Sequence, residues 1–209
     1  MQKILIASAL AAFALSAEAD EMYGGLGTLG LNIGYAKAIG DGTARIDLNG
    51  YTFSKTQTAN NVTYDVKLKL LSVAALYDYF PMQGGFRLTG GVLLGDNKIS
   101  GSARPTGGNY TLNGVTYAAA GESLALSVKM PSVMPYLGIG WGHQQTSKGL
   151  GFFADAGVAL GKPKVSLTAS PTLATAAGAD LDAERQKAQQ SLDKLKVFPV
   201  IKLGLRYNF

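Results

Sequence analysis

The chain has 209 residues, of which 27 are Gly; 47% are aliphatic or aromatic, only 16% are Asp, Glu, Lys or Arg, and the formal net charge is +5. A typical soluble domain carries about 25% charge and about 7% Gly, and an apolar fraction this high excludes intrinsic disorder. The lack of Cys excludes disulfides, thiolate metal sites and a Cys nucleophile, and a single His excludes a His-rich metal cluster.

At the N-terminus, Lys3 precedes an almost wholly apolar run over residues 4–17, and Ala17-Glu18-Ala19 fits a small-x-small cleavage pattern. The run is shorter than the ~20 apolar residues a spanning helix needs. Residues 1–19 therefore read as a secretory signal peptide cleaved after Ala19. Residues 20–209 then form one exported domain.

From there the dominant period is two. Strands are predicted at roughly 21–26, 28–38, 43–55, 62–80, 85–100, 132–142, 149–168 and 197–209. Leu29, Leu31, Ile33 and Tyr35 alternate with Gly30, Asn32, Gly34 and Ala36. Ile46 and Leu48 alternate with Arg45, Asp47 and Asn49, and Leu137, Ile139 and Trp141 with Gly138, Gly140 and Gly142. In the last strand Ile201, Leu203, Leu205, Tyr207 and Phe209 alternate with Lys202, Gly204, Arg206 and Asn208. Each strand thus divides into an apolar face and a small or polar face. Over 62–80, Val66, Leu68 and Leu70 take the apolar phase and Asp65, Lys67 and Lys69 the polar one. The phase blurs from Leu70 to Leu76, as at a bulge or in a strand packed on both faces.

The connections alternate in length. Short turns fall at Gly40-Asp41-Gly42, 81–84 and 144–148; longer loops span 56–61, 101–131 and 169–196. The first connection, near Gly27, is tight. Inside the second long loop, Asn113-Gly114 between two β-prone runs predicts a hairpin. In the third, residues 180–195 lack Gly and Pro and place Leu181, Ala188, Leu192 and Leu195 near helical intervals, which predicts a short helix.

These features define an all-β fold class: an eight-stranded antiparallel transmembrane β-barrel with a short helix in the last external loop. A strand can cross a bilayer only where every backbone group is paired, as in a closed barrel. Lipid then meets the apolar face, and the polar face lines the interior. Inward glycines leave room for longer neighbours. Tyr35, Tyr77, Tyr79, Phe80, Trp141, Tyr207 and Phe209 gather near one end of the strands, as in an aromatic girdle.

The inward faces collect Arg45, Asp47, Arg87, Asp155, Lys202 and Arg206, an excess of cations. Asp65, Lys67 and Lys69 share that phase nearer the external end. Buried charges must be paired, so the set reads as a salt-bridged plug or as a charge-selective constriction for a small solute. An eight-stranded barrel is only just wide enough for its own side chains, which favours the plug. Acyl-transfer chemistry would need a nucleophile beside a base. The one His, His143, follows Gly142 at the start of a short turn, with Gln145 rather than Ser two residues on. It reads as a polar interfacial residue beside Trp141, and no enzymatic site, cofactor or metal site is predicted. Nucleic acid is no partner for an exported barrel. The positive charge suits outer-membrane lipids and lipopolysaccharide, and Lys162-Pro163-Lys164 reads as an exposed basic bend or a contact for lipid phosphates.

The final strand, ending on Phe209 with Tyr207 two residues before it, resembles the C-terminal signature of bacterial outer-membrane barrels. That resemblance implies an outer-membrane location and recognition of Tyr207 and Phe209 by the barrel-assembly machinery. Further motifs are Pro81-Met82-Gln83-Gly84-Gly85-Phe86-Arg87-Leu88, Asn113-Gly114-Val115-Thr116-Tyr117 and Pro135-Tyr136-Leu137-Gly138-Ile139-Gly140-Trp141. Gly161-Lys162-Pro163-Lys164-Val165-Ser166-Leu167-Thr168 and Pro199-Val200-Ile201-Lys202-Leu203-Gly204 follow. In order and spacing, roughly the C-terminal half of the chain resembles the CarO family of small outer-membrane barrels, known as ornithine-uptake porins; the 81–88 element is similar to their short turn, and the rest of the N-terminal half matches in pattern. The resemblance implies an eight-stranded barrel that passes basic amino acids. The alternative is a closed structural or interaction barrel that presents its external loops.

Overall fold

A computed structural model describes residues 20–59, 61–82, 84–144 and 148–209. The expected signal peptide lies outside the described residues. The elements, in chain order, are β1 (Asp20–Gly27), β2 (Gly30–Ile39), β3 (Gly42–Ala59), β4 (Val62–Tyr79), β5 (Phe86–Gly95), β6 (Lys98–Pro105), β7 (Asn109–Leu112), β8 (Val115–Ala118), β9 (Leu124–Lys129), β10 (Val133–Trp141), β11 (Gly149–Leu160), β12 (Lys164–Ala169), α1 (Pro171–Leu192) and β13 (Val197–Asn208).

Eight of these strands close into an antiparallel ring. Its order is β4-β3-β2-β1-β13-β11-β10-β5, with β5 pairing back onto β4. The first and last strands meet along Glu21↔Asn208 to Gly27↔Lys202, and the Phe209 amide donates to the Asp20 carbonyl at 3.1 Å. At the opposite end Gly27 pairs with Gly30 around the two-residue turn Thr28-Leu29. Gly30 there has φ +96°, which an L side chain rarely adopts. Alternation holds around the ring: in β4, Ser72, Ala74, Leu76 and Asp78 point inward and are buried, while Leu71, Val73, Tyr77 and Tyr79 stand exposed outside.

The ring is not the whole sheet. Two predicted strands are interrupted, and their far halves form a wall that rises from one side of the rim. The strand predicted at 85–100 breaks at Asp96-Asn97 into β5 and β6. Register survives the break, since β4 pairs Ser72↔Gly95 on one side and Lys69↔Lys98 on the other. The Asp96 amide donates to the Leu71 carbonyl at 2.8 Å, and Asn97 Oδ1 accepts from the Leu71 amide at 2.9 Å. The strand predicted at 149–168 breaks at Gly161-Lys162-Pro163 into β11 and β12; Pro163 has no N–H with which to continue a ladder. The loop expected over 101–131 supplies β9. The far halves of β3 and β4 join β6, β9 and β12 in a five-stranded wall.

Polarity inverts where the strands leave the ring. Below the rim the outer face is apolar. Above it, Asp65, Lys67 and Lys69 continue that outer face, while Val66, Leu68 and Leu70 continue the inner one. The expectation that Asp65, Lys67 and Lys69 share the inward phase is therefore corrected. The Leu70-Leu71 step marks the inversion, and this explains the blurred phase without a bulge.

The predicted hairpin forms as β7 and β8, with Asn113 at φ +52° and Gly114 at φ +86°, the two positive values of a type I′ turn. The helix starts earlier than its predicted onset at residue 180, at Pro171 in the first turn, and ends before Leu195. Its Leu173, Ala177 and Leu181 bury against Leu112 of the hairpin, with Tyr110, Tyr117, Leu124 and Leu167 packed around them. Hairpin and helix thus form a lid over the inner face of the wall at β9 and β12. Among the described residues no helix is long and apolar enough to cross a membrane.

Candidate functional site

The interior of the ring is the candidate site. Its wall alternates, so every second residue of each strand must either fill it or leave it empty. Glycine ranks make the floor on which the large side chains lie. A Cβ at Gly34 would overlap the Tyr23 ring, and one at Gly140 would come within 2.7 Å of the Arg87 guanidinium. Cβ atoms at Gly138 and Gly157 would overlap the Tyr136 hydroxyl.

All six sequence-derived lumen residues point into this space. Arg45 Nε lies 2.6 Å from Asp78 Oδ2, and its Nη2 lies 3.4 Å from Asp155 Oδ1. Arg87 reaches the same two carboxylates, at 3.0 Å to Asp78 and 2.7 Å to Asp155. Two guanidiniums and two carboxylates therefore form one closed, fully buried set. Thr89 Oγ1 donates to Asp78 at 2.7 Å, and Arg87 Nε donates to the Gly142 carbonyl at 3.1 Å. Beside them Asp47 accepts from both Lys202 and the Tyr23 hydroxyl. Toward the end where β1 begins and β13 finishes, Glu21 pairs with Arg206 at 3.2 Å and contacts His143 Nδ1. Charge-assisted bonds of this kind are strong, and removing one partner strands the other.

Sequence reasoning missed Asp78, Glu21 and Tyr23 as interior groups. Asp78 follows the stretch where the phase blurred, and Glu21 sits in the short first strand. With them, the four interior cations Arg45, Arg87, Lys202 and Arg206 face four carboxylates, Glu21, Asp47, Asp78 and Asp155. The apparent cation excess disappears. The placement of His143 is also corrected. Positive φ at Gly142 (+96°) and His143 (+61°) turns the chain back into the ring instead of along the interface. The imidazole is buried, with its centroid 4.4 Å from the Tyr23 ring and 4.7 Å from the Phe153 ring.

Above the charged layer lies a rank of small polar residues, Gly25, Asn32, Asn49, Ser72 and Gly95, paired across β1 to β5. Both polar side-chain atoms of Asn32, Nδ2 of Asn49 and Oγ of Ser72 are buried and find no protein partner among the described residues. Beside this rank lies an apolar cluster. Leu29, Leu76, Leu93, Met134, Tyr136, Ala159 and Val200 form one buried cluster, with Met130 and Phe198 packed against it. The interior therefore holds an ionic layer at the end where β1 begins and β13 finishes, and beyond it a rank of small polar residues on β1 to β5 and an apolar cluster lined by β4, β5, β10, β11 and β13. Tyr207 and Phe209 do not enter it; they stand on the outer surface with ring centroids 5.3 Å apart.

No family model matches the chain, and no curated protein matches it. Among solved structures it is similar to Acinetobacter baumannii CarO2, with TM-score 0.61 and 21% identity over 93% of this chain and 100% of that one. It is also similar to Acinetobacter baumannii CarO, with TM-score 0.57 and 21% identity over 90% of this chain and 97% of that one. The fold resembles that of CarO, as the sequence motifs implied.

Proposed function

We propose that the protein is a bacterial outer-membrane β-barrel, closed by its own side chains, whose working surface is the wall and lid at its external end. One observation carries this reading: an ionic set, a rank of small polar residues and an apolar cluster together occupy the interior, and their principal side chains are buried. The membrane assignment is supported by the outer belt of Leu26, Leu31, Ile46, Leu137, Phe152 and Leu203, all exposed on the ring. Such a belt has no place in water at this size. Tyr77, Tyr79, Trp141, Tyr207 and Phe209 stand exposed where the terminal end would meet the headgroups. The balanced charges of the ionic layer suit a structural plug better than a selective constriction.

A second reading is a narrow solute path, as the CarO resemblance implies for basic amino acids. The unpartnered atoms of Asn32, Asn49 and Ser72 favour it, since they are hydrogen-bonding groups aimed into the lumen. Planar-bilayer recording and liposome uptake of ornithine separate the two readings. The closed barrel is expected to give no steps above the empty-membrane baseline and no uptake above protein-free liposomes. Saturable ornithine uptake would replace the first reading with the second.

A further inference from the structure

The outer face of the wall carries charge in an ordered array. Lys69 of β4 is paired in register with Lys98 of β6, Lys98 with Lys129 of β9, and Lys129 with Lys164 of β12. Residues directly opposite in an antiparallel ladder share a face. The four lysines therefore form one rank across four neighbouring strands, spanning about 14 Å at ~4.8 Å per strand. Directly opposed like charges destabilise a sheet, so nothing in the stability of the wall calls for this arrangement.

The rank sits at the rim. On the same outer face, Leu71, Leu94, Val133 and Leu160 are the uppermost exposed aliphatic residues of these four strand lines. Each lysine stands just above one of them. The next ranks outward, Lys67-Ser100-Ser127-Ser166 and Asp65-Ser102-Ala125-Thr168, are dominated by hydroxyls. The sequence on the outer surface is thus hydrocarbon, cation, hydroxyl. Asp96 is the one carboxylate in the rank. It accepts from Lys69 at 2.7 Å and lies 3.0 Å from Lys129. These two lysines hold its carboxyl down at about 2, so it remains an anion and offsets one positive charge. Lys98 and Lys164 make no ion pair among the described residues, and both are exposed. The opposite rim, at Thr28-Leu29 between β1 and β2, has no corresponding cations.

We infer that the Lys69-Lys98-Lys129-Lys164 rank binds the phosphorylated headgroup of a glycolipid in the external leaflet, with the serine ranks above it facing the sugar hydroxyls. The inference rests on the membrane reading above. A bilayer places phosphates just beyond its hydrocarbon, where this rank stands, and each lysine near an anionic surface adds measurable attraction. The width of the rank fits a headgroup with more than one phosphate better than a single phosphate ion.

The test uses the folded full barrel in neutral detergent, titrated with bisphosphorylated lipid A and followed by native mass spectrometry. The variant is Lys98→Gln with Lys164→Gln, which leaves the Asp96 pairs in place. The control is Lys55→Gln with Lys194→Gln, which removes the same charge away from the rank. The rank variant is expected to lose roughly tenfold in apparent affinity, and the control to bind as the wild type does. Fully dephosphorylated lipid A is expected to bind more weakly to the wild type than the phosphorylated form. An unchanged rank variant, an equal loss in the control, or equal binding of the dephosphorylated lipid would each overturn the inference. Heat-modifiable gel mobility after insertion into vesicles is read separately. A wild-type chain that fails to insert removes the membrane reading itself, and the lipid site with it.

Discussion

Asp155 lies between two buried guanidiniums, 2.7 Å from Arg87 and 3.4 Å from Arg45. Asp155→Asn keeps the shape and removes the charge, which leaves both arginines to share Asp78. Breaking a buried pair from one side costs about 3–5 kcal/mol. The urea midpoint for loss of the heat-modifiable form should fall well below that of the wild type. Asp65→Asn serves as the comparison, because its pair with Arg104 is exposed on the wall and exposed pairs contribute little. Equal midpoints for Asp155→Asn and the wild type would remove the ionic layer from the account of stability. The cationic half of this layer was legible in the sequence, because Arg45, Arg87, Lys202 and Arg206 fall on clean period-two strands. Half of its anionic partners were not. Asp78 follows an apolar stretch whose two faces look alike, and Glu21 lies at the start of the shortest ring strand, next to Asp20. His143 escaped because backbone dihedrals, not periodicity, turn it inward.

Among the elements, α1 and the β7–β8 hairpin form the clearest unit. Asp180, Glu184 and Lys187 occupy successive turns on one face of the helix. All three hold the turn residue Asn113: its side-chain amide donates to Asp180 at 3.0 Å, its backbone amide to Glu184 at 2.8 Å, and Lys187 donates to its Oδ1 at 2.8 Å. Hydrogen bonds from Tyr117 and Asn113 hold the Asp180 carboxyl below its usual value of 3.8. A carboxyl depressed by folding contributes its full stabilisation above that ordinary value, and loses it as pH falls through the lowered one. Pepsin nicking within the hairpin should therefore stay slow as pH falls toward the ordinary carboxylate range, and rise only below it. In Asp180→Ala it should be fast already at the upper end of pepsin's working range. A variant that nicks no faster than the wild type there would show that the apolar contacts alone dock the hairpin. The hairpin was readable from Asn113-Gly114, and the second half of the helix from its leucines. The first half was not, because Gly178 argues against a helix locally; burial of Leu173 and Ala177 overrides it. The wall was hidden for a different reason. Its strands keep their alternation but exchange which face is apolar at Leu70-Leu71, so a rule tuned to one solvent misreads the other half.

At the scale of the molecule, these facts separate a closed ring from an added wall. The ring closes through β4–β5 pairs from Ser72↔Gly95 to Tyr79↔Leu88, all below the rim. Its interior layers draw no side chain from the far halves of β3 and β4. Those far halves are exposed over 51–59 of β3 and serve chiefly as the edge on which β6, and through it β9 and β12, are built. Removing residues 54–67 and joining Phe53 to Leu68 through Asn-Gly tests this division. Phe53 and Leu68 are already paired in register, so a two-residue type I′ turn closes the shortened hairpin without a slip. The shortened chain should still give a heat-modifiable barrel with the wild-type urea midpoint. Its lid should be nicked faster, since β6 has lost most of its β4 neighbour and the wall under α1 has lost its support. If the heat-modifiable form disappears instead, ring and wall fold as one cooperative unit. The interior packing alone would then not suffice to close the barrel.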